Sequence, residues 1–410
     1  MKILLLQRMK SAKPFLKNPY LVTFLIAWGA ILLGYWRGIN NHLPVLGNFT
    51  DELEWAIVLV PLIFGSSAFV KYLRSFDFIF VFGCIFFYLL NFILYPQNGD
   101  ALSKRLFSFT VLTIPYYFIG AALDIKKFYT AFFSVSCVSI CICTFYNLSY
   151  AKSASYAGDM DVSEYNMSLA YNILQHVLMV SWVALKEMKP WKIVMMILGL
   201  FMLLSMGTRG PVVCAIVFIA VYLLFFKPSK YQKTMRVVVI SVAVYAISFL
   251  DSFMMFMLIT LQQLGLSTRI FDKYFDGGLE ESRGRDFIRE TLIRELGTDN
   301  SIFGHGILGS YKYVGTYAHN IILDFLFSFG IVVGTGLLLM LANLICRAFL
   351  RTRHCETEQV FLLLLVVASL LKMCFSGTFI DDTLFFFLIG YCVQICRKQK
   401  IRPYENLLRV

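Results

Sequence analysis

Twelve apolar runs, each able to cross about 30 Å of hydrocarbon, leave this 410-residue chain little choice but a membrane fold. They lie near 20–36, 55–70, 76–95, 106–122, 128–148, 165–185, 191–206, 211–226, 236–260, 319–346, 360–377 and 378–396. In lipid every backbone polar group must be satisfied within the protein, so runs of this length and composition are expected to be helices. The reading is therefore an all-α, polytopic integral membrane protein with about 12 transmembrane helices, forming one membrane domain over residues 1–410. Composition agrees. The chain is 59% hydrophobic and only 15% charged, where a soluble domain carries about 25% charged residues. The basic N-terminus leads into a run long enough to span, so no cleavable signal peptide is expected.

Charge orients the spans. With the N-terminus in the cytoplasm, the inner connectors carry Lys71 and Arg74; Lys126 and Lys127; Lys186, Lys189 and Lys192; Lys227, Lys230, Lys233 and Arg236; and Arg347, Arg351 and Arg353. The short outer connectors hold few basic residues and collect Asp51, Glu52, Glu54, Asp159, Asp161 and Glu164. This is the positive-inside asymmetry, and it alternates without a break. The net charge of +12 is thus a topology signal and not a nucleic-acid footprint. Both termini are expected inside, and one large loop, 261–318, outside.

That loop is the only long polar excursion. Within it the spacing of Ile288, Leu292 and Leu296, broadened by Phe287 and Ile293, predicts an amphipathic helix over 285–296. Asp286 stands in its first turn, Glu290 four residues before Arg294, and Gly297 at its stop. Gly304, Gly306 and Gly309 follow, read as a loop against which another backbone or a ligand packs. Ten cysteines lie in or beside apolar runs and none in the loop, and no histidine pair stands at ligand spacing. No disulfide framework, metal site or cofactor is expected.

The residues able to carry chemistry are few. Arg209 sits in the short outer turn Ser205–Pro211, where a guanidinium at the interface costs up to about 2.5–3.5 kcal/mol. It reads either as a snorkelling boundary residue or as a fork for an anionic ligand's phosphate oxygens. Arg283 and Arg285 open the amphipathic helix, a natural phosphate position, though Arg283, Arg289 and Arg294 taken singly read as solvated charge. His319–Asn320 stands at the re-entry to the membrane after Tyr311, Tyr313 and Tyr317, which suit either sugar stacking or an interfacial belt. Asp324 follows among apolar neighbours and is expected to be functional or paired. Asp381 and Asp382 read as partners for an arginine.

Four of these stretches together resemble a family. Gly207-Thr208-Arg209-Gly210 between two spans, Gly284-Arg285-Asp286-Phe287-Ile288, Gly304-His305-Gly306 and Ala318-His319-Asn320 ahead of Phe329-Gly330-Ile331 are similar to the O-antigen polymerase/ligase superfamily. The likeness covers roughly 195–340. It implies a GT-C-like, metal-independent glycosyltransferase of the cell inner membrane, acting on saccharides carried by undecaprenyl diphosphate at the outer leaflet. By this resemblance Arg209 and Arg285 hold the diphosphate, and His319 orients or deprotonates the attacking hydroxyl or assists the phosphate contact. Arg283, Tyr313, Tyr317 and Asn320 join Arg209 and Arg285 as substrate-binding residues, and a chain-length regulator is a possible protein partner. A repeat-unit polymerase is the expectation. A ligase to lipid A core and a twelve-span lipid-oligosaccharide flippase are the alternatives.

Overall fold

The structure, a computed structural model, describes residues 73–157 apart from 124, then 167–226, 249–275, 283–297 and 302–398, with isolated positions between 233 and 241. The expected spans 20–36 and 55–70, part of 236–260 and most of both tails lie outside these residues. Among the described residues the chain is helical, with no strand.

In chain order the helices are α1 (Ser75–Leu94), α2 (Gly99–Phe107), α3 (Tyr116–Ala122), α4 (Ile125–Ala157), α5 (Met167–Glu187), α6 (Pro190–Ser205), α7 (Arg209–Phe225), α8 (Leu250–Gln263), α9 (Arg269–Phe275), α10 (Arg283–Leu296), α11 (Ser310–Val314), α12 (Ile321–Thr352), α13 (Glu356–Val366) and α14 (Thr383–Lys398). Among the described residues three stretches are long and apolar enough to cross a membrane: α1, Phe128–Phe145 within α4, and α12. Shorter apolar helices run over Pro190–Ser205, Arg209–Phe225 and Thr383–Arg397. The expected span 106–122 is not one helix. A π-helical stretch, Ser108–Thr113, and Pro115 interrupt it, because proline offers no N–H to continue the ladder.

The contacts divide the chain into two compact units. One holds the described residues within 55–128 and 283–410, the other those within 129–282.

In the first unit α3 crosses α14 at two glycines. A side chain at Gly120 would strike the Phe387 carbonyl, and one at Gly390 the Tyr117 carbonyl. Small residues let the backbones approach this closely, as membrane helix pairs require where lipid gives no hydrophobic drive. Around this crossing pack Val81, Tyr88, Leu102, Phe109, Phe325, Phe379 and Phe385.

The two ends of this unit gather different segments. At one end Asp77, fully buried, accepts from Tyr117 Oη at 2.8 Å, Arg397 at 2.6 Å and the Arg74 N–H at 2.7 Å. Arg351 there donates to the Cys396 carbonyl. The start of α1 and the ends of α12 and α14 therefore meet, and these are the connectors the charge pattern assigned to one side. The opposite end gathers the segments assigned to the other side.

In the second unit α5 is buried along most of its length between α6 and α7. Its Trp182 is fully buried, and His176 receives or gives a hydrogen bond at Ser136 Oγ, 3.0 Å away. α8 and α9 close on Phe201, Leu204 and Val212 through Leu261, Leu266 and Phe271.

Candidate functional site

The site in the first unit is organised by a break in α12. Gly330 adopts φ 79°, ψ 167° in the middle of that helix, a conformation open only to glycine at little cost. The preceding turn thereby loses its helical partners for the Phe327 and Ser328 carbonyls. The Gly304-His305-Gly306 loop supplies them: His305 N–H donates to Phe327 O at 2.8 Å and Gly306 N–H to Ser328 O at 3.1 Å. The loop must lie flush to do this. A side chain at Gly304 would strike the Gly330 nitrogen, one at Gly330 the Ile302 carbonyl, and one at Gly306 the Tyr95 ring. The loop's other edge is held by buried amides. Asn98 donates to the His305 carbonyl at 2.8 Å, Asn91 accepts from Ile307 N–H at 2.9 Å, and Tyr95 donates to Phe303 O at 3.1 Å. Broken backbone at membrane depth persists only where protein satisfies it in this way.

The half-helix before the break starts at Asn320. Its side-chain oxygen accepts from the N–H groups of Ile322 at 2.9 Å and Leu323 at 3.2 Å, an N-cap worth about 1 kcal/mol. His319 precedes it at φ 53°. A non-glycine residue held there stores of order 1–3 kcal/mol, and such strain clusters at functional sites. Its Nδ1 is buried with no hydrogen-bond partner among the described residues. Burial, and then the positive charge of Arg285, push its imidazole down to about 4, so His319 is neutral at pH 7.

Arg285 reaches this neighbourhood because α10 docks on the half-helix. Leu292 and Leu296 pack with Ala318, Leu323 and Phe327, flanked by Ile288. The expected stripe 288/292/296 is the buried face. Phe287 and Ile293 do not broaden it: they are 63% and 54% exposed, and Thr291 is buried in the stripe instead. Arg285 itself is exposed. Arg294 lies 3.8 Å from Glu295, its neighbour, rather than reaching back along the helix. Arg283 opens α10, and nothing is described of its side chain.

The tyrosines serve the protein's own packing. Tyr313 meets His305 edge-on at 5.2 Å, with its hydroxyl 3.2 Å from His305 Nδ1, while His305 stacks on Phe327 at 4.3 Å. Burial lowers the His305 imidazole below its ordinary value. Tyr311 accepts from Arg105 at 2.6 Å, and burial raises its phenol. Tyr317 lies against His319 with ring centroids 4.1 Å apart and places its hydroxyl 3.3 Å from Ser376 Oγ.

A charged frame accompanies these groups; the sequence singles out its acids, Asp324, Asp381 and Asp382, but not their partners, and Asp382 pairs with a lysine and not an arginine. Arg105 pairs with Asp381, and Lys372 with Asp382 at 2.6 Å. Thr378 donates to the buried Asp324 carboxylate at 2.7 Å. The signals were present: Arg105 is a basic residue on the acid-rich side, and Lys372 is a charge inside an apolar run.

Arg209 belongs to the second unit. It is the first residue of α7, after Thr208 in extended conformation and Gly207 at φ 68°. A side chain at Gly207 would come within 2.6 Å of Ser267 Oγ, so the turn packs on the loop leading into α9. Arg209 is engaged with a partner in the structure and is not a bare guanidinium. Of the expected site residues, the first unit thus brings together Arg285, His319, Asn320, Tyr313 and Tyr317. Among the described residues no group of three His, Cys, Asp or Glu is placed to hold a metal ion.

No protein-family model, curated protein or solved structure matches this chain.

Proposed function

We propose that this protein is a membrane glycosyltransferase that polymerises oligosaccharide repeat units carried on undecaprenyl diphosphate, at the outer leaflet of the cytoplasmic membrane. The observation that supports it most is the placement of His319, on a strained turn with its Nδ1 buried, beside the exposed guanidinium of Arg285. A base that must accept a proton at neutral pH has to be neutral before it acts. In this reading the acceptor sugar hydroxyl attacks the anomeric carbon of the donor while His319 takes the hydroxyl proton. The anomeric C–O bond breaks and undecaprenyl diphosphate leaves with the electron pair. Arg285 stabilises the charge that develops on the leaving diphosphate. Arg209, Arg283 and Asn320 enter this reading through the family resemblance, and Arg209 is tested on its own below; in the structure Arg283 starts a helix and Asn320 caps one. The GT-C-like architecture of about 12 spans, both termini in the cytoplasm, and reaction without a metal or cofactor belong to the same proposal. So does a chain-length regulator as partner.

A deletion strain examined on a polysaccharide gel tests it. Loss of polymerase leaves core capped by single repeat units or lipid-linked single units, the expected result. Long chains stranded on the undecaprenyl carrier would make the protein a ligase to lipid A core. Undecorated core with units trapped inside would make it a flippase.

A further inference from the structure

Imidazoles that act in catalysis usually have one ring nitrogen tied to a carbonyl or carboxylate, which fixes the ring's plane and tautomer. His319 lacks that tie: its Nδ1 is buried and makes no hydrogen bond among the described residues. Among the described residues the ring is held by other contacts. Its backbone is fixed from both sides, by Ala318 in the core against α10 and by Asn320 capping the half-helix. The side chain's neighbour is the Tyr317 ring, at 4.1 Å between centroids with a 44° tilt. Tyr317 is in turn tethered to Ser376, 59 residues away in sequence, through its hydroxyl. Ser376 is 3% exposed and opens a hairpin that is itself pinned: Thr378 to Asp324, Asp381 to Arg105, Asp382 to Lys372.

We propose that Tyr317 is a positioning residue that fixes the His319 imidazole by ring contact, and that the Ser376 hydroxyl holds Tyr317 in place. The inference deepens the glycosyltransfer reading and, for its catalytic half, rests on it. It assigns Tyr317 a role different from a platform for sugar. It also couples the site to the 376–382 hairpin, so that displacement of the hairpin would unseat the imidazole without touching it.

Two measurements separate the ring contact from its catalytic use. The first needs no substrate. In purified protein with labelled histidines, the ring protons of His319, assigned by their loss in His319→Ala, carry the ring-current shift of an adjacent aromatic. Tyr317→Leu should abolish that shift. Tyr317→Phe and Ser376→Ala should keep a ring but broaden or move the resonance. An unchanged His319 spectrum in Tyr317→Leu would overturn the proposal. The second uses lipid-linked oligosaccharide extracted from the deletion strain. Tyr317→Leu should lower kcat about 10–100-fold, as small misplacements of a catalytic group do, with KM within about twofold. In a His319→Ala background it should cost nothing further. Raised KM with unchanged kcat would make Tyr317 a sugar platform and overturn the inference while leaving the glycosyltransferase standing. Wild-type turnover by His319→Ala would instead overturn the catalytic reading, while the spectrum still decides the contact. Should Tyr317→Leu not accumulate, Tyr317→Phe and Ser376→Ala carry both measurements, with smaller losses expected and wild-type behaviour in both again overturning it.

Discussion

His319 illustrates how a residue's surroundings set its chemistry. An ordinary histidine has a pKa near 6.5 and is partly charged at neutral pH. Here burial and then Arg285 both disfavour the charged form and bring it to about 4. The acid limb of kcat/KM, which reports the free enzyme, should therefore fall near pH 4 instead of near 6.5. Arg285→Gln removes one of the two causes and should move that limb upward while lowering the rate. A limb at 6.5 in the wild type would mean that His319 is not the titrating base. The arginines are separable in the same way. Arg209→Lys keeps the charge and loses the planar fork, so it should cost up to about 10²-fold in turnover with normal accumulation on an immunoblot. Arg294→Ala, with its side chain 75% exposed, should give a wild-type ladder of chain lengths. A wild-type ladder from Arg209→Lys would return that residue to a boundary role.

At the scale of elements, most helices were legible and their breaks were not. The run 76–95 became Ser75–Leu94, 191–206 became Pro190–Ser205, and the amphipathic helix 285–296 became Arg283–Leu296. Their signals are local: a polar boundary, a proline at the first turn, an apolar stripe. The break at Gly330 has no such signal, because Phe329-Gly330-Ile331 sits in an unbroken apolar run. What opens the helix is a partner elsewhere, the 302–306 loop, whose N–H groups replace the missing helical donors. Gly330→Ala should therefore be strongly destabilising. The positive-φ extended backbone alone costs about 1–3 kcal/mol for a residue with a Cβ, and the new methyl would meet the Ile302 carbonyl. Gly336→Ala, six residues on in the same helix with nothing within 4 Å of the new methyl, should be neutral or stabilise by up to about 1 kcal/mol. Thermal unfolding in detergent compares them; equal midpoints would show that the break is not held by this contact. The same reasoning explains the site. Arg285 and His319 were legible as residues, but the Tyr317–Ser376 tether and the Arg105–Asp381 pair join distant segments and carry no local pattern.

For the whole molecule the open quantity is how its ends face the membrane. α12 is longer than a bilayer needs, but the part after its break, 331–352, has 22 residues, which at 1.5 Å per residue spans about 33 Å. That part ends at Arg351 and Arg353, and its end meets the end of α14 through Arg351 and Cys396. The Arg397–Asp77 pair adds the start of α1 to the same end. At the other end of the unit, Tyr95 and Asn98 meet the 303–307 loop, and Arg105 meets Tyr311 and Asp381. The segments grouped by charge are thus grouped in space within this unit, and the positive-inside rule predicts that the end bearing Arg351, Arg353 and Arg397 is cytoplasmic. Lys312 and Arg353, both exposed, mark the two ends. In intact spheroplasts a membrane-impermeant thiol reagent should label Lys312→Cys above the wild-type background of native cysteines, and Arg353→Cys only after lysis. The reverse pattern would invert the protein and take His319 and Arg285 away from the outer leaflet. Labelling of both before lysis would place both ends of α12 on one side, and then the 22 residues after the break do not cross the membrane.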